Sequence, residues 1–171
     1  MSSIIKVDTI QNAAGTTGLT IDSNGVITTP AKPMFKARGA ANVSLTNNTI
    51  TVVQFNTEEF DVGGYFDTST YRYTPQVAGK YFIHSRVYIT YASAPLENVE
   101  MWLYKNGSAD SFYSRYSNGS TEIYGSVGLS TIVDMNGSTD YLSVYVKANS
   151  STDSKYYANV YHGEFSGFLI S

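Results

Sequence analysis

The sequence predicts an all-β fold in which two sheets pack face to face as a sandwich. The chain has 15 tyrosines and 8 phenylalanines, and aromatic residues suit the half-buried surface of a sheet. No stretch shows a sustained apolar period of 3.6 residues with helix caps, so we expect no long helix. Asn-Gly, the strongest short hairpin signal, occurs four times, at Asn24-Gly25, Asn106-Gly107, Asn118-Gly119 and Asn136-Gly137.

The segments between these turns have the composition of strands. Each segment alternates apolar and polar residues or is rich in β-branched and aromatic side chains. The predicted strands are Thr49 to Asn56, Lys80 to Tyr91, Val99 to Lys105, Ile123 to Asp134, Tyr141 to Lys147, Tyr156 to Tyr161 and Phe165 to Ile170. That number of strands is enough for a two-sheet sandwich.

The first part of the chain, residues 1–33, is predicted to be a short extended or hairpin arm that precedes a globular domain at residues 34–171. Pro30 and Pro33 stiffen the chain at the boundary and are excluded from a central strand. The arm is too short and too polar to bury a core alone, so we expect sister chains or a larger assembly to hold it. Its candidate attachment residues are the apolar Ile5, Val7, Leu19 and Ile21.

The last predicted strand is apolar on both of its faces. Because side chains alternate along a strand, Phe165 and Leu169 share one face, and Phe168 and Ile170 share the other. The domain's own core can cover one face, and the second face needs another body or a covering loop. Alternation alone does not say which pair faces the core.

Composition argues against several classes of partner. The formal net charge is −3 and charged residues make up 15% of the chain, so no basic surface is expected to bind nucleic acid. The absence of cysteine removes disulfides, thiolate metal sites and thiol nucleophiles. No run approaches 18 apolar residues and the N-terminus lacks a signal-peptide pattern, so we expect neither membrane insertion nor conventional secretion.

Catalytic and metal-binding chemistry is also not expected. His84 and His162 are the only histidines, and neither stands in a motif with a Ser or Asp partner. We expect His84 to be a hydrogen-bonded structural residue. Four acidic residues could supply oxygen ligands to a calcium ion: Glu58, Glu59, Asp61 and Asp67. They do not form an Asp-x-Asp-x-Asp-Gly loop, so we expect them to be solvated loop residues. The sequence therefore predicts no enzyme activity, no cofactor and no metal.

Residues 111–124 form the segment with the composition of a recognition surface. Aromatic side chains are mixed there with Arg, Ser and Asn, and tyrosine offers rigid amphipathic area to a ligand. The candidate ligand-binding residues are Tyr113, Arg115 and Tyr116. Ordinary sheet and interface aromatics are the alternative interpretation of the same segment.

Three segments in the domain resemble a known family in the same order. Phe66 to Pro75 with Gly79 to Ile83, Leu103 to Gly107, and Phe165 to Ile170 resemble the aromatic strand, the Lys-Asn-Gly hairpin and the closing Phe-Ser-Gly-Phe-Leu-Leu strand of the C1q-like head. This head belongs to the C1q and tumour-necrosis-factor superfamily. The resemblance implies a jelly-roll head that assembles as a homotrimer, with Phe168 and Ile170 as candidate interface residues. Ile83 departs from the usual Phe, and the collagen-like stalk is missing.

The arm resembles a different group of proteins. Ile5 to Gln11 and Leu19 to Val26 resemble the N-terminal lead-in of short structural proteins from tailed bacteriophages, particularly those of marine bacteria. This implies a virion protein at the particle surface, bound through its arm to capsid or tail proteins as a capsid decoration, head fibre or tail appendage. The C1q-like head could then contact a host-surface glycan or protein. A non-viral C1q-like recognition module for carbohydrate or protein ligands is the alternative.

Overall fold

The structure is a computed structural model that describes residues 4–90, 96–117, 124–150, 154–157 and 163–171. Within these ranges it describes the backbone path alone for residues 90, 96, 111–114, 116–117, 124, 150 and 154–157. The chain divides into two compact units, Met1–Lys32 and Pro33–Ser171. No described segment forms a helix long and apolar enough to cross a membrane.

The first unit, the arm, is a three-stranded antiparallel sheet. Its strands are β1 (Thr9–Gln11), β2 (Thr17–Ile21) and β3 (Ile27–Thr28), with β2 in the centre. Asp22 Oδ1 accepts hydrogen bonds of 2.8 Å from the backbone N–H groups of Asn24 and Val26. Gly25 has a φ of 79°, the left-handed conformation that glycine adopts without cost. The Asn-Gly pair therefore makes the turn that the sequence predicts.

The second unit, the head, is a sandwich of two antiparallel sheets, which confirms the predicted all-β fold class. The front sheet consists of β4 (Met34–Arg38), β5 (Asn42–Leu45), β7 (Thr57–Val62), β10 (Ala78–Thr90), β13 (Tyr124–Asn136), β15 (Ser154–Tyr157) and β16 (Glu164–Leu169). The back sheet consists of β6 (Thr51–Val52), β8 (Phe66–Asp67), β9 (Arg72–Tyr73), β11 (Leu96–Lys105), β12 (Ser108–Ser117) and β14 (Leu142–Ser150).

Strand β10 organises the front sheet. It pairs along its whole length with β13 on one side, and with β16 and β15 in succession on the other. Strand β16 also pairs with β4, so the C-terminal strand is internal to the sheet. In the back sheet the order is β12, β11, β14, β9 and β8.

The core lies between the two sheets and follows the alternation of their strands. Tyr81 and Ile83 of β10 are fully buried against the back sheet, where Met101 of β11 is also fully buried. An aromatic cluster closes the core near the C-terminal strand, because the Phe35 ring stacks on Tyr73 at 3.9 Å. Such close packing gives the head its main stabilisation.

Several strands, among them β4, β7 and β12, were not predicted, and one predicted strand is much shorter than expected for a physical reason. The predicted strand Thr49 to Asn56 contains only the two residues of β6. The chain turns tightly afterwards, because the Phe55 N–H donates to the Val53 carbonyl at 3.0 Å, and this turn buries both side chains completely. Core burial therefore overrides the local strand preference. The Asn118-Gly119 turn, His162 and residues 158–161 of another predicted strand lie outside the described residues.

Candidate functional site

The outer face of the front sheet, which points away from the core, carries a row of apolar side chains. Phe82 on β10 lies opposite Ile132 on β13 and opposite Phe168 on β16. Phe168 in turn lies opposite Met34 on β4. The rings of Phe82 and Phe168 are 5.4 Å apart, while Ile132 and Phe168 remain 55% and 46% exposed. We call these four residues the apolar row.

The exposure of its side chains shows which face of the C-terminal strand points towards the core. Phe165 has no exposed surface and Leu169 packs against the core. Phe168 and Ile170 point outwards and are 46% and 41% exposed. Ile170 lies one residue beyond β16, and its N–H still donates to the Lys80 carbonyl at 2.7 Å. The predicted interface residues are thus on the outer surface, and their contact with another copy stays a prediction.

The other members of the row were not predicted from the sequence. Phe82, Ile132 and Met34 come from strands that are far apart along the chain. Alternation around the buried Tyr81 and Ile83 places Phe82 on the outer face. That signal identifies one residue at a time, whereas the row exists only because three strand pairings align its members.

Charged side chains lie beside the apolar row on the same outer face. Lys36 Nζ is 3.0 Å from Glu59 Oε2 and 3.6 Å from Glu164 Oε2. Arg38 Nε is 3.0 Å from Glu59 Oε1. The hydrogen bond to Glu59 raises the pKa of Lys36 above its usual value. These pairs are about one-third exposed, so each contributes less than about 1 kcal/mol to stability and mainly orients the side chains.

His84 lies between two neighbouring strands on this face. Its Nδ1 is 2.9 Å from Ser130 Oγ on β13, and its Nε2 is 3.3 Å from Glu164 Oε1 on β16. Serine, histidine and carboxylate in contact can activate a hydroxyl nucleophile. Here the group lies on the open face of a sheet, and Glu164 also pairs with Lys36. The contacts are those of the hydrogen-bonded structural histidine that the sequence predicts.

The acidic residues considered for calcium belong to separate structural features. Glu58, Glu59 and Asp61 lie on β7, so the prediction that they are loop residues is wrong. The Asp67 carboxylate accepts hydrogen bonds from Ser69 and Thr70. These hydrogen bonds lower the pKa of Asp67 to about 2, and the bond from the Ser69 hydroxyl has the largest effect. In the described part of the chain, no three His, Asp or Glu residues are grouped to hold a metal ion.

The buried Asp140 connects the Asn106-Gly107 and Asn136-Gly137 turns. Asp140 Oδ1 accepts a hydrogen bond of 2.7 Å from Asn106 Nδ2, and its Oδ2 is 2.9 Å from Lys105 Nζ. Oδ2 also accepts a hydrogen bond from the Asn136 backbone N–H at 3.0 Å. The contacts of Asn106 and Lys105 hold the pKa of Asp140 below its usual value. The Asp140 carboxylate therefore stabilises the two turns.

Residues 111–117 of the predicted recognition segment lie on strand β12 at the edge of the back sheet, Tyr124 begins β13, and residues 118–123 lie outside the described residues. Tyr113 lies opposite Trp102, Arg115 opposite Glu100, and Tyr116 opposite Val99. Arg115 is exposed, with its Nε 3.8 Å from Glu100 Oε1. The side chains of Tyr113 and Tyr116 are not among those described, so ligand contact by these three residues stays a prediction.

A half-buried aromatic surface, which was not predicted from the sequence, lies next to Arg115 on the outer face of the back sheet. The rings of Tyr104 and Tyr145 stack with centroids 4.0 Å apart. Lys147 Nζ is 5.7 Å from the centre of the Trp102 ring and 2.7 Å from Glu100 Oε2. The alternating segment Met101 to Lys105 contains the signal for this face.

Comparisons with known proteins bear on the fold of the head. No protein-family model matches the chain, and no curated protein matches its sequence. The globular domain of zebrafish complement 1qA is similar in structure, with a TM-score of 0.62 and 18% identity over 82% of this chain and 98% of that one. The head has the C1q/TNF jelly-roll fold.

Two further structures support this jelly-roll assignment. Murine APRIL matches with a TM-score of 0.61 and 12% identity, covering 81% of this chain and 99% of that one. Eiger TNF from S. frugiperda matches with a TM-score of 0.57 and 10% identity over 82% and 92% of the two chains. The predicted C1q/TNF-like head is therefore confirmed as a fold.

Proposed function

We propose that the chain is a homotrimeric display protein whose jelly-roll head self-associates through the outer face of the front sheet. The apolar row supports this proposal most directly, because Ile132 and Phe168 leave about half of their surface in water. A continuous apolar strip on a soluble domain is typical of a binding surface. Closed symmetric assembly of identical chains is the usual way to cover one.

The charged side chains beside the row would give the contact its specificity. Lys36, Arg38 and His84 supply donors, while Glu59 and Glu164 supply acceptors. Such charges at the edge of an apolar contact set the register between partners more than they add affinity. The association therefore depends on the row for energy and on these residues for orientation.

We infer that the arm attaches this trimer to the virion of a tailed bacteriophage. The resemblance of Ile5 to Gln11 and of Leu19 to Val26 to phage lead-in segments supports this role. So does the division of the chain at Lys32 into an arm and a head. An arm of about 30 residues spans at most roughly 100 Å. A capsid decoration or head fibre is therefore favoured over a long tail fibre, with a short tail-tip adhesin as the alternative location.

The displayed head is proposed to make weak contact with host-surface glycans or proteins, without enzymatic activity. Arg115 is exposed beside the aromatic surface of Trp102, Tyr104 and Tyr145. Tyrosine, tryptophan and arginine are the residue types that dominate adaptable recognition surfaces. Three-fold display and many copies per particle would compensate for modest affinity at each site. A non-viral recognition module would use the same head and would have no need for the arm.

Light scattering on the purified protein tests the oligomeric state. The expected mass is three times the 18.7 kDa of one chain, and a monomer mass at micromolar concentration contradicts the proposal.

Deletion of residues 1–30 tests the attachment role. The shortened protein should remain trimeric and fail to incorporate into particles, because the arm and head are separate units. Wild-type occupancy of the shortened protein on virions would show that the arm is not the attachment element.

Substitution of Tyr113, Arg115 and Tyr116 by alanine tests the contact with host cells. Adsorption of particles should fall while the melting temperature and the trimer mass are retained. Unchanged adsorption would leave the protein with a structural role alone.

A further inference from the structure

The three-stranded sheet of the arm has two chemically opposite faces. Ile10 of β1 lies opposite Leu19 of β2, and Ile21 of β2 lies opposite Ile27 of β3. Leu19 and Ile21 are two residues apart on the central strand, so all four side chains share one face. We call this the aliphatic face. The other face carries Thr9, Thr20 and Thr28, also in register.

The aliphatic face is uncovered within the arm. Ile10 and Ile27 are 52% and 61% exposed, and no residue of the arm from Ile4 to Lys32 is buried. A sheet with an apolar face needs a second layer to be stable, and a small three-stranded sheet cannot supply that layer itself. A stable form of this sheet therefore needs an occupant for its aliphatic face.

The chemistry of the sheet favours an identical partner. None of β1, β2 and β3 contains a charged residue, so identical faces can approach without like-charge repulsion. Each arm is joined to its head through the short segment from Pro30 to Pro33. Association of the heads would therefore hold the arms at a high effective concentration.

We propose that the aliphatic face of each arm packs against the same faces of two other copies of this chain. This inference rests on the proposed homotrimer and adds a second trimer contact, remote in sequence from the apolar row of the head. Leu19 and Ile21 then contact sister chains. The threonine face and the residues before β1, where Ile4 and Ile5 are 75% and 86% exposed, are left to contact the particle.

The absence of cysteine from the chain permits a direct test. A single introduced cysteine can form a crosslink only with another chain. Leu19→Cys and Thr20→Cys are a matched pair, because the two residues are adjacent on β2, are both half-buried and face opposite sides. Ile21→Cys places the thiol on the same face at a second position along the central strand.

The full-length variants are treated with a short bismaleimide in dilute solution and separated on a denaturing gel. Leu19→Cys or Ile21→Cys should give covalent dimers containing up to two of every three chains, because each crosslink joins two members of a trimer. This yield should not change on further dilution. Thr20→Cys should give less than one-tenth of that yield.

The outcomes distinguish this inference from the proposed trimer. Light scattering on the same samples reports whether the chains are trimeric. A trimer mass with no dimer from either aliphatic-face variant overturns the arm contact and leaves the head contact standing, as does equal crosslinking of Thr20→Cys. A monomer mass overturns the homotrimer and this inference together.

Discussion

Replacing Phe168 with serine tests whether the apolar row holds the trimer together. Full burial of a phenylalanine contributes about 2 to 3 kcal/mol, and 46% of Phe168 is still exposed within one head. Covering that remainder is worth about 1 kcal/mol in each copy and about 3 kcal/mol in a trimer. Phe168→Ser should therefore weaken association by roughly 100-fold.

Sedimentation over a dilution series measures this change, and a thermal melt reports the folding of each variant. Ile50→Ser is the matched control, because Ile50 is also 46% exposed and belongs to neither sheet. Phe168→Ser should also lose the ring contact with Phe82, which is worth about 1 kcal/mol of folding stability. If both variants dissociate at the same concentration as the wild type, the apolar row is not the trimer contact.

The remaining predictions concern the head. Gly167→Ala should cost about 1 to 3 kcal/mol of stability, because the new Cβ would lie 2.6 Å from a core side chain and 2.8 Å from a backbone oxygen; an unchanged melting temperature contradicts this packing. Tyr73→Phe should raise stability in urea by about 1 kcal/mol, since the described residues offer its buried hydroxyl no partner. Tyr81→Phe should lower it by a similar amount, because that hydroxyl donates a 2.8 Å hydrogen bond to a carbonyl; equal effects of the two changes would refute the distinction. Asp67→Ala should lower stability by about 1 kcal/mol at neutral pH, because it removes the acceptor of the hydrogen bonds from Ser69 and Thr70. Its folded pKa of about 2 lies below the ordinary 3.8, so most of this stabilisation should be lost as pH falls from about 4 through about 2; a difference that does not shrink between about pH 5 and about pH 2 argues against it.

Local alternation was sufficient to locate four long strands of the head, β10, β11, β13 and β14, although it missed β12. The predicted strand Lys80 to Tyr91 corresponds to β10, which spans Ala78–Thr90. Its apolar residues recur every second position, and that spacing depends only on the geometry of an extended chain. The same spacing could not predict the short β6, because the turn at Val53 and Phe55 is stabilised by core burial and by a hydrogen bond from Val53 N–H to the distant Val144 carbonyl.

The candidate interface was also predicted only in part from the sequence. Sequence alone identified a terminal strand with two apolar faces, and it named Phe168 and Ile170 as one pair. The pairing of β16 with β10 decided that this pair points outwards, because Phe168 lies opposite Phe82 and beside the outer-facing His84. The choice of face depends on where the second sheet packs, which the strand itself does not encode.

The sequence by itself determined an all-β composition, Asn-Gly turns, strands whose side chains divide into two alternating sets, and an arm that cannot bury its own apolar residues. Only the tertiary structure decided which outward residues become neighbours. His84, Ser130 and Glu164 are far apart in the chain and meet on three adjacent strands. Alternation within a strand follows from bond geometry between adjacent residues, whereas neighbours across a sheet follow from pairings that the whole core selects.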